Sequence, residues 1–321
     1  MTYLENLGLE AKKAEAAIRG ISQNVKNRAL FAIADGLTEN AGLIIEDNEK
    51  DLENARKNNM SEAMRDRLKL DMKRIGDMAE GVRRIAALPD PVGRVLGGKE
   101  LPNGLKIVKK AVPLGVVGII FESRPNVTVD AAALCLKSGN VSMRLVSVMR
   151  SALRSAGAEE NAVALVEDTS RECVSELMRM NRYIDVLIPR GGHGLIQNVV
   201  NNSTIPVIQT GEGNCSVYVD KSADIEIAVN IADNGKTQRP SVCNAIENLL
   251  VHEDIAEEFL KALDERWKGK VRIYADKSAS KYIKAEREAN EEDYRTEILD
   301  FAIAEKTVND VSEPIDYINR N

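Results

Sequence analysis

The chain predicts an α/β fold, a mostly parallel, doubly wound sheet followed by a second α/β lobe, on three observations. A helical N-terminal stretch gives way, after a segment rich in proline and glycine, to short apolar strand signals alternating with helices. The connections between those strand signals are long enough for the crossovers that parallel neighbours require. At 321 residues the chain is also long enough to bury two separate cores.

Residues 4–88 read as successive helices. Leu7, Ala11, Ala14 and Ile18 recur at helical spacing, and Leu30, Ile33, Ala34, Leu37 and Ala41 mark another apolar face. Ser61, followed by Met64, Leu68, Ile75 and Met78, opens a longer helical segment that ends before Pro89. Pro89, Pro91, Gly93, Gly97, Gly98 and Pro102 then punctuate the chain. Residues 105–112 and 114–121 read as strands separated by Pro113, the first a hairpin arm whose Lys106, Lys109 and Lys110 reach water. Residues 116–121 are continuously apolar, as in a strand covered on both faces. A helix at 127–136 follows, so Arg124 and Asn126 fall at the carboxyl end of a strand, where open α/β sheets place ligands.

Further strands are expected at 162–166, 184–188 and 205–208, with helices around 172–180 and 195–200 between them. Thr169 and Glu172 stand at capping-box spacing ahead of the first of these helices. The second lobe reads as a strand at 215–219, a helix following 220–229, a strand at 249–252 and a surface helix at 253–267. A last apolar strand at 297–304 and a short helix at 313–319 complete it, while 268–290 is too charged to assign.

Composition excludes several classes. With 44 basic and 50 acidic residues the formal charge is −6, which argues against nucleic acid as the main partner. A soluble enzyme handling an anion remains compatible, because only the local field at a site matters there. No window approaches the roughly 18 uninterrupted apolar residues of a membrane span. Cysteines at 135, 173, 215 and 243 have no metal-knuckle spacing, and no secretory signal opens the chain, so they read as thiols of a cytoplasmic protein. His193 and His252 are too few and too isolated for a histidine metal site, and no metal is expected.

Two segments carry chemistry. In Gly235-Lys236-Thr237-Gln238-Arg239-Pro240-Ser241-Val242-Cys243-Asn244 a cysteine follows a polar, cationic run, just ahead of the largely apolar stretch 245–251 and near an expected helix start. Positive charge and a helix N-terminus both favour thiolate, the attacking form, whereas a structural cysteine usually sits among hydrophobes. Local features leave both readings of Cys243 open, and Lys236, Arg239 and Arg124 read either as groups attracting an anion or as solvated charges. In Pro189-Arg190-Gly191-Gly192-His193-Gly194 a strand closes and a helix opens. Such a turn suits a phosphate or an ordinary tight bend equally; it matches neither the dinucleotide fingerprint nor a Walker loop.

Four segments taken in order resemble one family: Phe121-Glu122-Ser123-Arg124-Pro125-Asn126, Val166-Glu167-Asp168-Thr169-Ser170-Arg171, Ile188-Pro189-Arg190-Gly191-Gly192, and Gln238 through Asn244. The family is that of the gamma-glutamyl phosphate reductases, in the aldehyde dehydrogenase superfamily, and the resemblance runs from the N-terminal helices to Asn321. It implies NADPH-dependent reduction of L-glutamyl 5-phosphate to glutamate 5-semialdehyde, with phosphate released, in proline biosynthesis. It implies Cys243 as nucleophile, Asn126 as oxyanion donor, and Arg190, Gly191, Gly192 and Gly194 at the cofactor. It also implies a homo-oligomer with three parts: a cofactor domain at 1–98 and 118–212, an oligomerisation strand element at 99–117, and a catalytic domain at 213–321.

Departures from the family pattern set the alternatives. After Lys137-Ser138-Gly139-Asn140 a strand ending in an arginine and two glycines is expected, yet the sequence passes almost directly into a helical stretch at 143–156. Strands that complete the catalytic domain are also expected beyond Asn321. Gln209 lies where oxidising aldehyde dehydrogenases carry a general-base glutamate, and an amide cannot abstract a proton. The competing readings are an oxidising dehydrogenase of another semialdehyde and a catalytically degenerate scaffold or regulatory homologue.

Overall fold

The structure is a computed structural model and describes residues 2–121, 125–143, 153–164, 166–168, 170–209, 211 and 213–320. It divides into two compact units, residues 1–60 with 67–210, and residues 61–66 with 211–321.

The first unit opens on three helices, α1 (Tyr3–Ile18), α2 (Gln23–Glu39) and α3 (Ala41–Lys57). Thr2 and Glu5 form a reciprocal capping box at the start of α1. The segment opened by Ser61 is two helices rather than one, α4 (Glu62–Leu68) and α5 (Met72–Ala87). Asp71 begins the second by accepting the Arg74 N–H at 2.8 Å. Ala41, expected on the α2 face, instead opens α3 and is buried with that core.

Two strands, β1 (Val95–Glu100) and β2 (Lys106–Lys110), pair antiparallel as a separate ribbon with every residue exposed. Sequence reading finds β2 but takes Gly97 and Gly98 as punctuation; both lie inside β1, beside a register irregularity between Val95 and Gly97.

The sheet of this unit joins β3 (Val116–Phe121), β4 (Val141–Met143), β5 (Val163–Ala164) and β6 (Val186–Arg190), all parallel, in the order β5-β4-β3-β6. A parallel bridge from Leu187 to Val207 continues it beyond β6, so the segments at 116–121, 162–166, 184–188 and 205–208 all contribute to one sheet. β4 corrects an expectation: a short central strand follows Asn140 directly. Most of the expected 143–156 helix lies outside the described residues.

Helix α6 (Pro125–Lys137) joins β3 to β4, and Asn140 ties the two ends by accepting the Gly115 N–H at 2.9 Å. Gly115 has φ 115°, and a Cβ there would overlap the Asp185 carboxylate, which accepts the Val116 N–H. α7 (Arg171–Leu177) is capped by Ser170, which accepts from Cys173, and Thr169 lies outside the described residues. α8 (His193–Asn202) follows β6. Val116, Ile120 and Leu187 join the large core made with α1, α2, α5 and α6, while Val117, Ile119 and Val186 form a smaller cluster with Cys135.

The second unit has a five-stranded parallel sheet. Its strands are β7 (Cys215–Val219), β8 (Ile246–His252), β9 (Arg272–Ala275), β10 (Arg287–Glu288) and β11 (Ala302–Val308), in the order β10-β9-β11-β8-β7. Helices α9 (Ile225–Thr237) and α10 (Glu253–Trp267) bury Val229, Ala232, Phe259 and Leu263 in its core, and α11 (Ser312–Arg320) ends it. The last strand starts five residues later than the apolar pattern suggests. Leu299 adopts φ 57° and donates its N–H to Glu247, so extended pairing begins only beyond it.

Candidate active site

The strand order of the first unit fixes where a ligand would lie on it. From β3 the chain moves outward to β4 and β5, then returns to place β6 on the other side of β3. Phe121 and Arg190, the last residues of β3 and β6, are register partners. The carboxyl ends of these two strands are therefore the point where the winding reverses, which is where sheets of this kind bind ligands. Asn126 and the 190–194 turn both follow that edge.

Pro125 stands at the first position of α6, where its missing N–H costs nothing. Asn126 is next, exposed, with Nδ2 donating to Asp130 Oδ2 at 3.4 Å. Burial pushes the Asp130 carboxyl up, and the Asn126 contact opposes it. Arg190 is half-buried, Gly191 likewise, and Gly192 is the residue before α8. A Cβ on Gly192 or Gly194 would meet open space. The start of α8 is thus free of side-chain bulk at Gly192 and Gly194, which lets a ligand approach the backbone closely. His193 and Gln209 are exposed, and Arg124 lies outside the described residues.

In the second unit Cys243 is exposed. Pro240, Ser241 and Ala245 beside it are buried, so the turn is anchored on both sides while its thiol reaches solvent. The expected helix start is absent. Cys243 follows the C-terminus of α9 and leads into β8, because the apolar stretch 245–251 is a buried strand rather than a helix. Its position therefore gains nothing from a helix N-terminus.

Lys236 departs from expectation too. It is fully buried in the last turn of α9 and donates to Glu247 of β8 at 2.7 Å, both side chains at 0% exposure. Burial drives the lysine down and the carboxyl up, each held against that drift by the other. Lys236 is thus a strut between helix and strand, not a solvent-facing attractor of anions. Arg239, exposed, is the remaining cation of the segment.

Sequence reading missed the support beneath Cys243. A Cβ on Gly213 would overlap the Cys243 carbonyl oxygen, so backbone meets backbone there. Cys215 Sγ lies 3.4 Å from the same oxygen. Gly213 was legible as a turn glycine, but nothing in the sequence paired it with a residue thirty positions away. Glu247 and Asn248 stood hidden in a run read as apolar.

Residues 9–279 match the model of the aldehyde dehydrogenase family, and the chain belongs to that family. Its fold is accordingly one of an NAD(P)-binding unit and a catalytic unit. Within the family its relatives are gamma-glutamyl phosphate reductases. The reductase of Carboxydothermus hydrogenoformans is 52% identical over 336 aligned residues, covering 100% of this chain and 80% of the relative. That of Clostridium novyi is 49% identical, covering 98% and 80%. The crystal structure of the Thermotoga maritima gamma-glutamyl phosphate reductase superposes with a TM-score of 0.85 at 40% identity, over 99% of this chain and 80% of that one.

Proposed function

We propose that this chain reduces L-glutamyl 5-phosphate to L-glutamate 5-semialdehyde with NADPH, releasing phosphate, as a cytoplasmic enzyme of proline biosynthesis. The observation that carries the reading is the exposed thiol of Cys243 on an anchored turn, in a chain 52% identical to a gamma-glutamyl phosphate reductase.

In this reading the Cys243 thiolate attacks the acyl carbon of the substrate, and the carbonyl electrons move onto oxygen. The Asn126 amide donates to that oxyanion, an interaction of a kind worth about 3 kcal/mol at the transition state. The C–O bond to phosphate then breaks, phosphate departs with the electron pair, and a thioester on Cys243 remains. The glycine-lined start of α8, open to close approach at Gly192 and Gly194, follows the carboxyl end of β6 at the reversal of the winding, so Arg190, Gly191, Gly192 and Gly194 are assigned to hold the cofactor. When bound there, NADPH would supply hydride to the carbonyl carbon of the thioester held on Cys243. Collapse of the resulting hemithioacetal returns the Cys243 thiolate and frees the aldehyde. Arg239 and Arg124 are assigned to the anionic substrate. Self-association is assigned to the exposed β1–β2 ribbon.

Phosphate dependence tests this reading. With glutamate 5-semialdehyde and NADP, NADPH formation should require added inorganic phosphate and saturate with it. Formation of glutamate at an undiminished rate without phosphate would instead establish an oxidising dehydrogenase.

A further inference from the structure

The segment 213–215 bears on the nucleophile in a way that the reaction scheme does not use. β7 begins at Cys215, and its register against β8 is irregular there: Cys215 pairs with Ile246, but Ser216 pairs with Asn248. The extra residue is Glu247 of β8, so the bend lies in β8, in the strand that leads directly out of the Cys243 turn and opposite the start of β7. Here the Cys215 side chain is half-buried, and its Sγ lies 3.4 Å from the Cys243 carbonyl oxygen. Two residues earlier, Gly213 packs against the same peptide, where a Cβ would also stand 2.9 Å from the Cys243 Cα.

The segment is itself held. Asn214 Nδ2 donates to the Tyr294 carbonyl at 2.9 Å, and its Oδ1 accepts from Asn248 of β8. Gly213 and Cys215 therefore form a fixed seat against which the Cys243 peptide rests. Burial pushes the Cys215 thiol up, and charge on Cys243 pushes it further the same way. Cys215 accordingly keeps its proton when Cys243 ionises, and an S–H, unlike a thiolate, donates to a carbonyl.

We propose that Cys215 is a positioning residue for Cys243: its S–H donates to the Cys243 carbonyl and, with Gly213 against the same peptide, holds the turn in the orientation that aims the nucleophile. This rests on the reading of Cys243 as nucleophile. A thiol hydrogen bond is weak, yet nucleophilic attack is steeply sensitive to placement, so its loss should register in the chemical step rather than in substrate binding.

The test compares wild type with Cys215→Ala and Cys215→Ser, alanine removing the donor and serine supplying an O–H. Two readouts are taken: kcat and KM in the phosphate-dependent assay, and amide hydrogen exchange in the peptide containing Cys243. Alanine should lower kcat about fivefold or more, leave KM within about twofold, and speed exchange in that peptide. Serine should restore most of the loss in both readouts. Alanine indistinguishable from wild type in both, or serine as impaired as alanine, would overturn the proposal. A folded wild-type enzyme without phosphate-dependent turnover would instead count against the functional reading. The exchange comparison would then decide by itself whether Cys215 holds the turn.

Discussion

The carboxyl of Glu305 lies on β11 with 0% exposure, and among the described residues no side chain donates to either of its oxygens. Burial first, and the Asp276 charge second, push its titration well above the usual carboxylate range, against a smaller opposing pull from the Asp276 backbone N–H. The folded chain therefore carries Glu305 protonated at pH values where the unfolded chain, titrating near 4.3, is ionised. Folding takes up a proton, so this stability is full below about pH 4 and declines as pH rises toward the elevated folded value. Glu305→Leu should stabilise the chain by roughly 1–3 kcal/mol at pH 7, with the gain shrinking toward pH 4.5. Urea unfolding across that range checks it, and parallel pH profiles for the two proteins would contradict it. Lys236 and Glu247 are the contrasting case, a buried pair in which each charge answers the other.

At the scale of elements, the β1–β2 ribbon stands apart from both larger sheets, with Val95, Leu96, Ile107 and Val108 exposed. A lone two-stranded ribbon is marginal in water, and its open backbone edges invite another strand. Replacing Ile107 and Val108 together by glutamate places a charge on each face of the ribbon. In sedimentation velocity the wild type should self-associate and the variant should require at least about tenfold higher concentration to do so. Identical distributions would remove the ribbon from the interface.

The parallel strands were legible because apolar runs such as 116–121 have few other uses, and the helices because Leu30, Ile33, Ala34 and Leu37 keep one face. β1 was not, since two glycines carry no strand preference. Nor was the true start of β11, which depends on the backbone angle of Leu299. Cys243 was legible as a reactive candidate from its polar, cationic neighbours. Its setting was misread, because a buried strand and a buried helix look alike over seven apolar positions. The fate of Lys236 was invisible for a related reason: its partner is eleven residues away on a different element.

For the whole molecule, each unit carries its own parallel sheet and its own share of the proposed chemistry. The first contributes the edge with Asn126 and the 190–194 turn, and the second contributes Cys243. The aldehyde dehydrogenase model spans parts of both units, consistent with one enzyme rather than two independent modules. The central claim is that Cys243 carries the acyl group. It is tested most directly by comparing wild type with Cys243→Ala in the reaction of glutamate 5-semialdehyde, NADP and inorganic phosphate, with NADP affinity measured alongside by fluorescence titration. The account predicts phosphate-dependent NADPH formation by wild type. Cys243→Ala should lose at least about a thousandfold in turnover while its NADP affinity stays within about twofold. Equal turnover by the two proteins would contradict it.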